Sequence, residues 1–456
     1  MALGRRREER QEAWVATTDL PKSPGHVFYG KLNELLHEAD FDRTVEELCE
    51  PFYAGRAGRR SIPPGVYFRM LLIGYFEGIG TQRGIAWRCS DSLSLRDFLG
   101  LAATEAAPDH SSLTRIRDRL PLETHVAVFR MVLGIAAEKK LLKGKTVAVD
   151  ATTLEANAAM KSIVRRETGE DWKEYLKRLM KEAGLIEDDD DDPTDEDLRR
   201  FDKQRKGKKV SNDDWVSESD PDGRITKMKD GRTHLAYKAE NVVDLETDLV
   251  LAAEVYHATH SDTTTMVDSV MEANNHIEQT TGELPIQEVA ADKGYHAADT
   301  LELAESLGLR TYIPEAKRKH KRRWTDKPTE FKRAVLANRR RTRRRKGRRL
   351  QRKRSELVER SFAHMCETGG GRRTWLRGLE KVRKRWTIQA AARNLGLIMR
   401  TLFGVGSARS HQGGSGLAHG VCLALFVIVG DIESWPIPLL AIRPTKFSPQ
   451  LSPALI

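Results

Sequence analysis

The chain has 456 residues, 31% of them charged, and 77 Lys and Arg against 66 Asp and Glu leave a formal net charge of +11. That length allows two to three domains with a sizeable core, and the positive surplus favours a polyanionic partner. The longest apolar run, residues 421–429, is far short of the roughly 20 residues that a membrane-spanning helix takes, so no membrane partner is expected.

The first residues are basic, with no apolar signal core behind them, and residues 1–25 read as a polar arm containing Pro21 and Pro24. Cys49, Cys89, Cys366 and Cys422 are widely spaced, which fits a reducing cytoplasm and gives neither a zinc knuckle nor a disulfide framework.

Residues 26–141 are expected to form an all-helical, DNA-binding domain. Leu32, Leu35 and Leu36 repeat at helical spacing, and Pro63-Pro64 opens a segment over 66–79 that is apolar nearly all round. The spacing predicts a helix over 111–120, with Leu113, Ile116 and Leu120 on one face and Arg115 and Arg119 one turn apart on another. Those two arginines either lie on phosphates or belong to an ordinary solvated face. A further amphipathic helix is predicted over 121–141, and Gly144 breaks the chain after it.

A second domain is expected over 142–403. Val147-Ala148-Val149 is apolar without alternation and reads as a strand buried on both faces that ends on Asp150. Asp is poorly suited to strands and is rarely buried unpaired, so the strand either delivers an acid to a site or ends on a turn cap. The acidic run 187–192 and the mixed charge after it mark a loop or insertion over about 160–230. Residues 235–243 and 249–256 form an expected antiparallel hairpin, followed by a helix from Thr263. A second short strand, from Ile286, again ends on an acid, Asp292, with Lys293 beside it and Gly294 supplying a tight turn. A helix over 297–307 and a strand over 309–313 come next.

Residues 317–354 are very basic and include Arg322, Arg323, Arg343 and Arg344; repulsion within such a block favours a DNA backbone as its partner over bare solvation. Trp324 either stacks on a base or packs. The run enters a helix in which Val358 and Phe362 share a core-facing side, with Glu359 beside that side and Glu356 as the rival acid. A long helix to Phe403 closes the domain. The tail, residues 404–456, alternates Gly, Ser and Pro with apolar patches and has no regular pattern.

Three carboxylates from separate segments, with oxygen donors only, suit Mg²⁺ or Mn²⁺, and two such ions can serve phosphodiester cleavage. His234, His257, His260 and His296 are read as surface or hydrogen-bonding histidines.

The blocks 147–150 with 154–157, 291–295 and 358–362 closely resemble the three signatures of bacterial insertion-sequence transposases of the Asp-Asp-Glu type. Residues 63–64 and 113–120 are similar to that family's N-terminal region, and 373–378 and 392–395 to its C-terminal blocks. The resemblance implies an α/β, ribonuclease-H-like core with a mixed five-stranded sheet flanked by helices. It implies Asp150, Asp292 and Glu359 as the catalytic, metal-binding triad, with Mg²⁺ (Mn²⁺ as a substitute) as cofactor. Terminal inverted repeats and target DNA are the implied partners of a homo-oligomer, and nicking followed by strand transfer the implied chemistry. Related groups place an Arg before the Glu and a Lys two turns after it; Ser355 and Cys366 stand there in this chain. A DNA-binding remnant or regulator without catalysis is the alternative.

Overall fold

The computed structural model describes residues 26–55, 61–102, 104–186, 192–205, 211–228, 231–283, 286–317, 324–325 and 327–408. The arm 1–25, the acidic run 187–191, Arg322 and Arg323, and residues 409–456 lie outside the described residues.

The first part is helical: α1 (Val27–Glu38), α2 (Phe41–Cys49), α3 (Pro64–Glu77), α4 (Gln82–Asp91), α5 (Leu93–Phe98), α6 (His110–Arg119) and α7 (Leu122–Glu138). Helix α3 is the hub. Tyr67, Phe68, Met70, Leu72, Ile73 and Phe76 are all buried, as its all-round apolar sequence requires. Arg69 is buried with them, donating to Asp42 Oδ1 and Oδ2 at 2.9 and 2.7 Å and to the Phe98 carbonyl at 3.1 Å. Leu113, Ile116 and Leu120 are buried as predicted.

The next elements are β1 (Thr146–Glu155), β2 (Ile163–Arg165), α8 (Trp172–Glu182), α9 (Asp195–Gln204), β3 (Trp215–Ser217), β4 (Arg224–Lys227), β5 (Thr233–Asp244) and β6 (Val250–His257). Then come α10 (Asp262–Thr281), β7 (Glu288–Ala290), α11 (Ala298–Ser306), β8 (Arg310–Tyr312), α12 (Thr329–Arg343), α13 (Arg345–Phe362) and α14 (Leu379–Phe403).

The main sheet is mixed. Strand β1 pairs antiparallel with β5 and parallel with β7; β7 pairs parallel with β8, and β6 antiparallel with β5. Among the described residues it has six strands against the expected five, because β4 pairs with residues 233–236 of β5, just before the stretch that β6 covers. The strand carrying Asp150 also runs five residues past it, since Thr152, Thr153 and Leu154 alternate and find partners on β5. Asp150 nevertheless stands at an opening, because the parallel pairing with β7 stops at Ala148–Ala290.

The region about 160–230 is an excursion with its own structure. Strands β2 and β3 form a ribbon, and α8 and α9 close a small separate core of Leu176, Met180 and Leu198. Its end is tied back to the main body: Asp220 Oδ1 accepts from Tyr237 Oη at 2.6 Å and from the Gly378 amide, and Asp222 Oδ2 accepts from the Leu379 amide at the start of α14.

Helix α14 joins the helical part to the sheet. Its buried residues share one continuous core with α3, α7 and the strands. Asn394 clamps the edge strand β6 by accepting from the Val250 amide and donating to its carbonyl, at 2.9 and 2.7 Å. Arg393 forms a buried ion pair with Asp248, 2.7 Å apart. Trp324 is half-buried against the same core, which favours packing over stacking. Among the described residues no single helix is long and apolar enough to cross a membrane.

Candidate active site

Strands β1 and β7 run parallel with Ala148 opposite Ala290; Asp150 lies two residues further along β1 and Asp292 two residues past the end of β7, near enough for its charge to act on Asp150. Asp150 Oδ1 accepts from the Ala151 amide at 2.8 Å, and Oδ2 accepts from Arg354 Nη1 of α13 at 2.6 Å. Burial raises the Asp150 carboxyl above its usual range; Arg354 works against that, and the nearby Asp292 adds to it. The pair therefore already calls for a cation, and Arg354 supplies one.

Asp292 is held by its own turn, with Oδ1 accepting from the Gly294 amide at 2.6 Å. The role of Gly294 differs from the one expected. Its backbone is not among the positive-φ glycines, but a Cβ there would sit 2.9 Å from both Asp292 Oδ1 and Asp262 Oδ2. Space is what demands glycine. The next residue, Tyr295, is fully buried and donates to Glu240 Oε2 at 2.9 Å, anchoring the turn to the opposite face of the sheet. Glu240 also accepts from Thr265 and Ser269 of α10, and Lys238 bridges it to Asp262.

Glu359 is exposed, not at a buried edge, and its Oε1 accepts from Ser355 at 3.0 Å. Among the described residues no three or more His, Cys, Asp or Glu are gathered closely enough to hold a metal ion. The two flanks of α13 nonetheless separate the rival acids. Lys353 reaches the Leu245 carbonyl, and Arg360 pairs with Glu356 and lies 3.5 Å from Asp248, so that flank faces the β5–β6 turn. Gln351, Ser355 and Glu359 line the other flank at four-residue spacing, and Gln351 donates to the carbonyl of Ala291, immediately before Asp292. By helical spacing Glu359 follows the flank whose Gln351 reaches Ala291, and Glu356 lies nearer the flank of Lys353 and Arg360. The two neighbouring carboxylates are donors of the kind a hard divalent cation takes, but no third is gathered with them among the described residues.

The basic segment divides in two. Arg339 pairs with Glu315, Arg341 donates to the Thr311 carbonyl, and Lys346 binds the buried Glu288, so these hold α12 and α13 on the sheet. Arg343, Arg344, Arg345, Arg348, Arg349 and Arg352 are exposed and have no carboxylate partner among the described residues. In the first turn of α13, Gly347 packs against the end of α12, where a Cβ would fall 2.4 Å from the Arg341 carbonyl oxygen. Lys293 is exposed beside Asp292. On α6, Arg115 is exposed and donates to Ser111 Oγ, while Arg119 lies over the Tyr53 ring, 4.7 Å from its centre. His257 Nδ1 donates to the Asp222 carbonyl and stays out of the acid pair.

Sequence reasoning missed Arg354 and the Lys238–Glu240–Tyr295 network. The second had a signal, since two charges two residues apart within the apolar strand β5 must share one face and be partnered there.

Residues 143–395 match the Transposase DDE domain family, and residues 18–119 match the family described as Transposase domain (DUF772). No curated protein and no solved structure matches the chain.

Proposed function

The chain belongs to the family of DDE transposases, and on that premise we propose that it binds the terminal inverted repeats of an insertion sequence, hydrolyses a phosphodiester at each end and transfers the freed strand to target DNA. What supports this reading is the register that brings Asp150 near Asp292 where the β1–β7 pairing stops, with Glu359 following the α13 flank whose Gln351 reaches Ala291. A ribonuclease-H-like core is the fold that goes with it, and a homo-oligomer on DNA in the bacterial cytoplasm the working form.

Asp150 and Asp292, with Glu359 as third ligand, would hold Mg²⁺ or Mn²⁺. The ion would activate the attacking oxygen and stabilise the leaving one. The protein's own residues do the rest. The Ala151 and Gly294 amides fix the two carboxylates, and Tyr295 holds the turn that presents Asp292. Arg354 neutralises Asp150 and must move off Oδ2 for that oxygen to serve as a ligand. Lys293 and the exposed arginines of α12 and α13 would grip backbone phosphates around the scissile bond, with Arg115 and Arg119 on α6 as a second contact.

The test is Mg²⁺-dependent nicking of a duplex carrying the element's inverted repeats. Asp150→Asn is expected to keep end binding and lose nicking. Undiminished nicking by that variant sinks the assignment. An absence of nicking by the wild-type chain on its own ends, with binding intact, leaves the reading of a DNA-binding regulator.

A further inference from the structure

Away from the acid pair, helices α3, α4, α6, α7 and α14 enclose a cavity of about 330 Å³, at the lower end of the range for small-molecule sites. Three buried or half-buried cations line it: Arg117, Lys384 and Arg385. No Asp or Glu does. Arg117 is 6% exposed, and its Nε has no hydrogen-bond partner. Arg385 donates through Nη2 to the Gly370 carbonyl at 2.8 Å, while its buried Nη1 has no partner. Lys384 Nζ donates to the Arg117 carbonyl and pairs outward with the exposed Glu380. His125 adds no charge, because burial brings it down to about 4, with Nδ1 donating to the Pro121 carbonyl and Nε2 facing Tyr67 Oη.

Buried guanidiniums are ordinarily paired. Here two lie close enough to repel: burial, then Arg117, brings Arg385 down to about 10. An anion would relieve both the desolvation and the repulsion. One carboxylate offers a single two-oxygen edge, which satisfies one guanidinium fork; a tetrahedral oxyanion has edges for two. The exposed Arg83 and Trp375 mark the side open to solvent.

We propose that this cavity is a binding site for a phosphate group, held between the Arg117 and Arg385 guanidiniums, and separate from the acid pair on the sheet. The phosphate comes either from a free nucleotide or from the backbone of a DNA strand.

The test is thermal unfolding of the full-length chain at constant ionic strength with three probes: inorganic phosphate, 2′-deoxyadenosine 5′-monophosphate and a short single-stranded oligonucleotide. A concentration-dependent rise in Tm is expected with at least one, and Arg385→Gln should weaken it at least tenfold in concentration. Arg385→Gln should also be no less stable than wild type without probe, since it removes a repulsion. A rise with the small probes identifies a free phosphate ligand. A rise with the oligonucleotide alone, lost in Arg385→Gln, identifies the DNA backbone. No rise with any probe, or an equal rise in variant and wild type, overturns the site. Should the variant not fold, phenylglyoxal labelling of the wild-type chain decides: the probes must slow modification of Arg117 and Arg385, and unslowed modification overturns the site.

Discussion

Arg354→Met tests whether Arg354 is the cation on which the acid pair depends. Both partners are largely buried, at 13% exposure for the Arg354 side chain and 25% for Asp150. Removing one member of such a pair is strongly destabilising, by about 3–5 kcal/mol when the remaining charge stays ionised. Asp150 has an escape, which is to take up a proton. Starting from its usual value of 3.8, that costs about 1.4 kcal/mol per pH unit, so the loss is capped near 4 kcal/mol at pH 7 and near 2 kcal/mol at pH 5. The sign follows from burial, which raises the folded-state value. The stability tied to this carboxyl is complete below 3.8 and is lost as pH rises through the raised value. Arg354 holds that value down, so its removal widens the window of loss toward neutral pH. Urea unfolding should therefore show Arg354→Met about 2–4 kcal/mol less stable at pH 7 and clearly closer to wild type at pH 5. Asp150→Asn added to it should restore most of the loss, and millimolar Mg²⁺ should stabilise the single variant more than wild type. Equal stability at pH 7, or a deficit that does not shrink with acid, would refute the pairing.

Other perturbations probe the surroundings. Glu288 is buried, and hydrogen bonds from Lys346, Thr146 and Tyr312 outweigh the burial and lower its carboxyl. Its contribution is present above about 4.5 and is lost as pH falls through the lowered value, so Glu288→Gln should lose stability at pH 7, and the deficit should shrink as the pH is brought down, as read by urea midpoints. Gly294→Ala should leave the fold intact but displace Asp292, cutting nicking at least tenfold with end binding unchanged; normal nicking would show that the turn tolerates a Cβ. Replacing Arg343 and Arg344 by Gln should lower the salt slope of DNA binding by about two, since each phosphate left unneutralised takes away about one; an unchanged slope removes the α12–α13 junction from the interface.

Much of this arrangement is legible in the sequence, for physical reasons. Buried strands announce themselves as apolar runs, and the glycines at 144 and 308 end their segments with φ of 68° and 77°. What stays hidden depends on pairing. The continuation of β1 past Asp150 is decided by β5, residues that lie about ninety positions away and accept Thr152 and Leu154 as neighbours. The sixth strand comes from a region whose charge reads as an excursion, although only β4 of it joins the main sheet. Helical spacing alone leaves Glu356 and Glu359 open, because both lie near the Val358 face; the partners of Lys353, Arg360 and Gln351 are what favours Glu359 in the proposed site. The basic run gave no warning that Arg339, Arg341, Lys346 and Arg354 serve the fold, because a guanidinium that pairs with its own chain looks the same in sequence as one reserved for phosphate.

The two faces of the sheet at Asp150 hold buried charge differently, and the contrast supports the proposed site. On the α10 face, Glu240 accepts from Thr265, Ser269, Tyr295 and Lys238, and Lys238 is shared with Asp262. There too one cation is shared by two carboxylates, but both Glu240 oxygens have hydrogen-bond donors from the protein itself, so the network holds itself and positions the Asp292 turn. On the α13 face, one guanidinium answers two carboxylates, its Nε is buried without a partner, and the Asp150 carboxyl is raised in spite of it. A saturated buried network is what a fold needs for stability; an unsaturated one is kept at a cost in stability, which selection tolerates where the missing charge arrives from outside. The sheet thus fixes its acids from behind and leaves them short of positive charge in front, which is the arrangement a divalent cation and a phosphate chain would complete.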